Sequence, residues 1–217
     1  MDKLEATLEF EEATKEIELL IAYSRRNKKD FLKYATFNKA AIVLLCTKFE
    51  AFLEEFLEEY AYLHIEKSSN KNLDSDIFEH LVDNLILSLE NNKLDKTKRR
   101  EAITELVMLC GDVEVSPISC NKIDTKFRDG KHGQREVEKL LKTFGFASFI
   151  EENEVKFFFK KFNSLNMIRN NIIHEHATPT LTHQDVEAYL SIVSNFITKL
   201  NNLASAKIAV LIENNTH

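Results

Sequence analysis

The residues best suited to chemistry lie together near the carboxyl end of this sequence, in Ile168-Arg169-Asn170-Asn171-Ile172-Ile173-His174-Glu175-His176. Arginine is a fixed cation that binds phosphate oxygens, and histidine is the side chain that gains and loses a proton near neutral pH. A cation and a titratable imidazole within a few residues, with no metal-ligand cage around them, indicate phosphate chemistry. This segment is therefore the first candidate for a functional site.

Arg169 interrupts a line of apolar residues. Phe158, Phe162 and Leu165 precede it at steps of four and three, and Ile172 continues the line beyond it. A charged side chain on a core-facing line is costly unless it is paired or lies at a solvated cleft. Arg169 therefore requires a partner or a function.

Glu50 is the acidic counterpart of Arg169, because it also interrupts an apolar line with helical spacing. Two opposite charges, each at an apolar position of a core helix, predict a partly buried pair across a helix interface. The alternative is that Glu50 lies at the edge of a wide stripe and reaches water. The other residues on its line are Val43, Cys46, Leu53, Leu57 and Tyr60.

The composition favours long helices. Only four glycines and two prolines occur in 217 residues, so there are too few turn formers for many tight turns. This length suits one substantial core and does not require a second. We therefore predict an all-α fold in a single domain over residues 1–217.

Apolar periodicity defines the helices that must position Arg169 and Glu50. The strongest stripe runs from Phe49 to Tyr60 and predicts a central core helix. Thr182 and Asp185 predict a capping box, and Gly145 predicts a helix end. We predict a long irregular loop over residues 111–133; its segment 122–132 has a net positive charge, and we expect it to reach over a nucleic-acid cleft. The predicted helices span about 2–26, 31–67, 74–91, 95–110, 134–144, 151–174 and 182–211.

Charge and hydropathy exclude several classes of protein. A net charge of −6 argues against a protein that coats nucleic acid with its whole surface, although a local basic site remains compatible with it. Lys96, Lys98, Arg99 and Arg100 form one such cluster at a helix start, where they are either a binding patch or, more commonly, a solvated face. No apolar run approaches a membrane span, and the first residues read as an acidic amphipathic helix. We expect a cytoplasmic protein with reduced cysteines and no membrane partner.

The sequence lacks the glycine-rich phosphate loops, the dinucleotide fingerprint, the H-E-x-x-H zinc motif and the G-x-S-x-G nucleophile motif. His174 and His176, with Glu175 and His183, are the nearest approach to a metal-ligand set. Residues two apart on a helix diverge by about 200°, so a shared ion would require the helix to end before them. We predict no metal and no cofactor.

The segment from Arg169 to His174 closely resembles the Arg-x4-6-His signature of the HEPN superfamily, in the Arg-Asn-x-x-x-His form common among its ribonucleases. The context is similar as well, because a long helix precedes the motif and a short proline-containing turn and an amphipathic helix follow it. Residues 41–52 resemble the early HEPN helix that contributes an acidic residue. The likeness to the RiboL-PSP branch covers most of the chain as a pattern, whereas the specific part is the motif.

This resemblance implies an HEPN-like antiparallel helical bundle with extra helices, which dimerises so that two motifs face one cleft. It also implies metal-independent endonucleolytic cleavage of RNA to 2′,3′-cyclic phosphate and 5′-hydroxyl ends, in a toxin or phage-defence role. His174 would be the general acid/base and Arg169 would stabilise charge on the phosphate oxygens. Asn170 would support His174, and Glu50 would orient Arg169.

His176 is an alternative acid/base. Arg169 and His174 are about 140° apart around a regular helix, so they share a face only if the helix ends or distorts before His174. His176 lies closer to the face of Arg169 and fits the six-residue spacer. A purely structural alternative also exists, in which Arg169 and Glu50 pair only to fix packing and both histidines lie on a polar helix end.

Two functions of different classes follow from these patterns. One is the endoribonuclease, and the other is a non-catalytic HEPN-like dimeric module that binds RNA, a nucleotide or a partner protein. An antitoxin or another regulatory protein is a further expected partner. Local RNA contacts are predicted at Lys126, Arg128, Lys156 and Lys160.

Overall fold

The described chain folds entirely into helices, which confirms the all-α prediction. The computed structural model describes residues 3–67, 73–111, 123–127, 133–174 and 180–214, and within these ranges it has eight helices and no strand. None of these described helices combines the length and apolar character that a membrane span needs. The helices are α1 Glu5–Arg26, α2 Phe31–Lys67, α3 Ser75–Asn91, α4 Lys96–Cys110, α5 Gln134–Thr143, α6 Ala147–Ile150, α7 Asn153–His174 and α8 His183–Asn214.

Helix α2 is the centre of the bundle, with α1, α7 and α8 packed around it. The Phe49 ring centroid lies 5.1 Å from that of Phe162 on α7 and 5.9 Å from that of Phe196 on α8. Phe10 brings α1 to the same core through an edge contact with Phe52. The whole predicted stripe from Phe49 to Tyr60 is at most 2 % exposed, so the prediction of a central core helix is confirmed.

Helix α7 presents its predicted apolar line to α2. Phe158, Phe162 and Leu165 are buried, as their spacing predicted. The run Phe157-Phe158-Phe159 predicts a helix that packs on more than one side; Phe158 and Phe159 are buried, but the prediction is wrong for Phe157, which is 53 % exposed. Three consecutive residues span about 200° of a helix surface, and the packed arc of α7 covers only part of that angle.

Helices α3 and α4 form a hairpin at the side of the bundle. Helix α3 packs on α5, whereas α4 packs chiefly on α3. The Asp95 carboxylate accepts hydrogen bonds from the backbone N–H groups of Thr97 and Lys98, both at 3.1 Å, and so caps α4. Ile103 and Val107 on α4 remain exposed, because no other described helix covers that side of the hairpin.

Two predicted helix ends have the geometry that their residue types indicated. Gly145 has φ +78° after α5, and the N–H of Phe146 bonds the carbonyl of Leu141 at 2.9 Å, as in a Schellman motif. Before α8, the N–H of Thr182 donates to Asp185 Oδ2 at 2.8 Å and the N–H of Asp185 donates to Thr182 Oγ1 at 3.1 Å. This capping box determines where α8 begins after the motif.

The buried apolar side chains of the eight helices form one cluster. The prediction of a single domain over 1–217 stays a prediction. Within the long loop predicted at residues 111–133, the described segment 123–127 is neither helix nor strand, and most of the loop lies outside the described residues.

Candidate active site

Arg169 lies at the boundary between the α2–α7 interface and solvent. It follows the buried Leu165 by one helical turn and is itself half-buried. Its Nε atom is buried and has no hydrogen-bond partner among the described residues, while Nη1 donates to Oδ1 of the exposed Asn170 at 3.1 Å. The guanidinium therefore extends from the packed interface to the surface, as a snorkelling side chain does.

The charges of Glu50 and Arg169 both affect the pKa of one buried thiol, that of Cys46. Cys46 lies one turn before Glu50 on α2, and its pKa is raised to about 12, first by burial and then by the negative charge of Glu50. The positive charge of Arg169 acts on that thiol in the opposite direction. The tertiary structure thus brings the two predicted charges, 119 residues apart in sequence, to one place at the α2–α7 interface.

Cysteine alkylation provides a test of this interface. Iodoacetamide at about pH 8 is expected to modify the exposed Cys110 of the folded protein and to leave Cys46 unmodified, because Cys46 is 1 % exposed and its raised pKa leaves almost no thiolate. Peptide mass spectrometry measures both sites, and the protein unfolded in urea should react at both. Equal rates at Cys46 and Cys110 in the folded protein would show that the interface is open.

His174 is exposed at the last residue of α7. The helix continues to His174, so it neither ends nor distorts before that residue, and the side chains of Arg169 and His174 diverge by about 140° within one protomer. Asn170 is one turn before His174, but in the described structure its hydrogen bond is to Arg169. The alternative acid/base His176 lies outside the described residues.

This chain was compared with models of known protein families, with curated proteins and with solved structures. A family model described as RiboL-PSP-HEPN matches residues 8–206, a span that includes Glu50, Arg169 and His174. The chain belongs to the RiboL-PSP-HEPN family. Searches of the curated proteins and of the solved structures find no match.

In this RiboL-PSP-HEPN chain, two polar contacts that the sequence analysis missed hold the segment that follows the motif. Asn38, fully buried on α2, donates from Nδ2 to the carbonyl of Leu181 at 2.8 Å. The Tyr34 hydroxyl accepts from the backbone N–H of His183 at 3.1 Å. These contacts fasten the start of α8 to α2. A polar residue on a buried line, here Asn38 one turn before Ile42, is the sequence signal that could have identified them.

Two of the predicted RNA-binding cations, Lys156 and Lys160, lie well before Arg169 along α7. Lys156 pairs with Glu151 at 2.7 Å and lies about 20 Å along α7 from Arg169, and Lys160 lies about 14 Å away. Both side chains are exposed, whereas Arg128 lies outside the described residues. The RNA contacts at these positions stay predictions.

Lys126 lies in a described segment that contacts α2 one helical turn from Glu50. It is exposed in the segment 123–127, and the N–H of the next residue, Phe127, donates to Glu54 Oε1 at 2.8 Å. Glu54 is one helical turn from Glu50. The segment 123–127 therefore lies against α2 close to the level of the candidate site.

Proposed function

We propose that this chain is a metal-independent endoribonuclease that leaves 2′,3′-cyclic phosphate and 5′-hydroxyl ends. Membership of the RiboL-PSP-HEPN family supports an RNA-related module, and the Arg-Asn-x-x-x-His motif supports the nuclease. The observation that carries the proposal is the half-buried Arg169, whose charge, like that of Glu50, affects the Cys46 thiol and which reaches the surface on the same helix as the exposed His174. A toxin or phage-defence role is part of the proposal.

The proposed reaction is an internal transfer at phosphorus. His174 accepts the proton of a ribose 2′-hydroxyl, the 2′-oxygen forms a bond to the adjacent phosphorus, and the bond to the 5′-oxygen breaks. The leaving 5′-oxygen takes up a proton and becomes a hydroxyl. The Arg169 guanidinium stabilises the negative charge that develops on the non-bridging oxygens. Glu50 orients Arg169 from α2, and Asn170 holds its exposed end through Nη1.

The active form in this proposal is a homodimer with the cleft at its interface. Since Arg169 and His174 diverge by about 140° on one helix, a second copy is a direct way to place one of each beside the same phosphate. Met167 and Ile173 on the motif helix are 66 % and 39 % exposed, so apolar surface is available next to the motif. An antitoxin or another regulatory protein that covers this face is a further proposed partner.

A non-catalytic module that binds RNA, a nucleotide or a protein is the second candidate. The same divergence of Arg169 from His174 favours it, because one protomer alone does not direct both side chains to one face. In such a module Arg169 would bind a phosphate without cleavage, and His174 would be dispensable.

Incubation of the purified protein with total RNA in EDTA separates the two candidates. We expect cleavage in the presence of the chelator, with fragments that carry cyclic phosphate and 5′-hydroxyl ends. A ligase that requires 3′-hydroxyl and 5′-phosphate ends should therefore join them only after end repair. Intact RNA over several substrates and salt concentrations, together with measurable RNA binding, would favour the binding module. Cleavage that stops in EDTA would contradict the metal-independent mechanism.

A further inference from the structure

The tip of the α3–α4 hairpin carries a concentrated positive charge that the proposed active site does not use. Five cations and one acid lie between Lys93 and Arg100, in a chain whose net charge is −6. Leu94 in the turn is 99 % exposed, and every residue from Lys96 to Arg100 is exposed, so this tip projects into solvent. We call it the basic tip; its cations are Lys93, Lys96, Lys98, Arg99 and Arg100.

The basic tip does not help the hairpin to fold. Four of its cations lie in the first turn and a half of α4, where the positive end of the helix dipole repels them. The single acid, Asp95, already accepts hydrogen bonds from the backbone of Thr97 and Lys98 as the helix cap. A cluster that opposes the local electrostatics of its own helix calls for a stabilising partner outside the chain.

The cations of the basic tip are also poorly neutralised within the chain. Lys98 lies 4.0 Å from Asp95, and among the described residues Lys93, Lys96, Arg99 and Arg100 take part in no ion pair. Several other exposed lysines differ in this respect, since Lys3 pairs with Glu11 and Lys15 with Glu12. The basic tip is therefore available to an external anion.

We infer that the basic tip is a second RNA-binding surface, which holds the phosphate backbone of the substrate away from the cleavage cleft. Phosphate contacts of this kind are independent of sequence and act over a Debye length, so they increase substrate capture without choosing the cleavage position. RNA is the preferred ligand because single-stranded RNA presents closely spaced phosphates to closely spaced cations. This inference rests on the proposed function, since its ligand is the substrate of that reaction.

Fluorescence anisotropy tests the basic tip without cleavage of the probe. The protein carries His174→Ala, and the ligand is a labelled single-stranded RNA of about 20 nucleotides, longer than one typical binding site. In this background Lys96→Gln/Arg99→Gln/Arg100→Gln is expected to weaken binding about tenfold to a hundredfold at about 0.1 M salt. The slope of log Kd against log salt should decrease by about 2, for three lost phosphate contacts.

A charge-matched variant controls for net charge. Lys3→Gln/Lys15→Gln/Lys199→Gln removes three charges that are each paired with a glutamate, and it should change RNA affinity by less than about twofold. The basic-tip variant should unfold at the same temperature as its parent or slightly higher, because glutamine is a good helix former and the repulsion by the dipole is removed. An equal loss of affinity in both variants would overturn the inference.

The cleavage assay distinguishes failure of this inference from failure of the proposed function. With His174 restored, the basic-tip variant should raise KM about tenfold and leave kcat unchanged. If the variant cleaves RNA with an unchanged KM and binds it with unchanged affinity, the basic tip does not bind RNA, whereas the proposed nuclease activity stands. If RNA binding depends on the basic tip but the wild-type protein cleaves no RNA, the proposed nuclease activity is wrong, whereas the RNA-binding role of the tip stands. If the variant instead loses only its binding to phosphatidylserine vesicles, the ligand is a membrane and the inference is wrong.

Discussion

His174→Ala is expected to lower the rate of RNA cleavage by about 10²- to 10⁴-fold, the range that a general acid/base contributes. The imidazole is exposed at the end of α7, so its removal leaves no cavity in the core. The thermal unfolding midpoint should therefore change little. Single-turnover cleavage of a labelled RNA measures the rate, and circular dichroism measures the fold.

His176→Ala is the matched control for this prediction. It removes a second histidine two residues away and should retain most of the activity if His174 is the acid/base. Full activity of His174→Ala combined with inactivity of His176→Ala would transfer the role to His176. Full activity of both single variants and of the double variant would contradict the proposed mechanism.

Arg169→Ala is expected to lower the cleavage rate by about 10²- to 10³-fold, because a fixed cation that stabilises charge in the transition state is lost. It should also destabilise the fold by about 1–2 kcal/mol, since the acid Glu50 would lose the opposing cation beside Cys46. Arg169→Lys retains the charge without the planar donors, so its cleavage rate and its stability should lie between those of the wild type and those of Arg169→Ala. The same cleavage and unfolding assays measure both effects.

Glu50→Gln separates catalysis from packing at this interface. Added to Arg169→Ala, it should restore most of the lost stability, because neither charge then remains beside the Cys46 thiol. It should not restore cleavage. If the double variant recovers activity together with stability, Arg169 and Glu50 serve only to fix the packing of α2 on α7.

A mixture of inactive subunits tests how the two motifs share one cleft. If Arg169 of one protomer acts with His174 of the other, mixed Arg169→Ala and His174→Ala subunits form heterodimers with one intact site, and about a quarter of the wild-type activity should return. Each variant alone stays inactive. A mixture that remains inactive despite subunit exchange would place both residues of a working site on the same protomer.

Local patterns were sufficient to predict most of the fold. The positions of the long helices follow from apolar spacing, since apolar side chains at every third or fourth residue form the helix face that must be buried. Gly145 and the Thr182–Asp185 box also have local causes, namely a positive φ and a reciprocal pair of hydrogen bonds. The exposure of Phe157 could not be predicted in this way, because it depends on how wide an arc of α7 its neighbours cover.

The features of the candidate site also have two origins, local sequence and tertiary packing. The sequence by itself determined the types and spacing of Arg169, Asn170 and His174 and marked Glu50 as an unusual charge on an apolar line. Only the tertiary structure decided that Glu50 and Arg169 act on one buried thiol, because that requires α2 and α7 to pack in a particular register. It also decided that Asn38 fastens the start of α8 to α2, since the place of Asn38 on an apolar line marks a buried polar group but does not identify a partner 143 positions away.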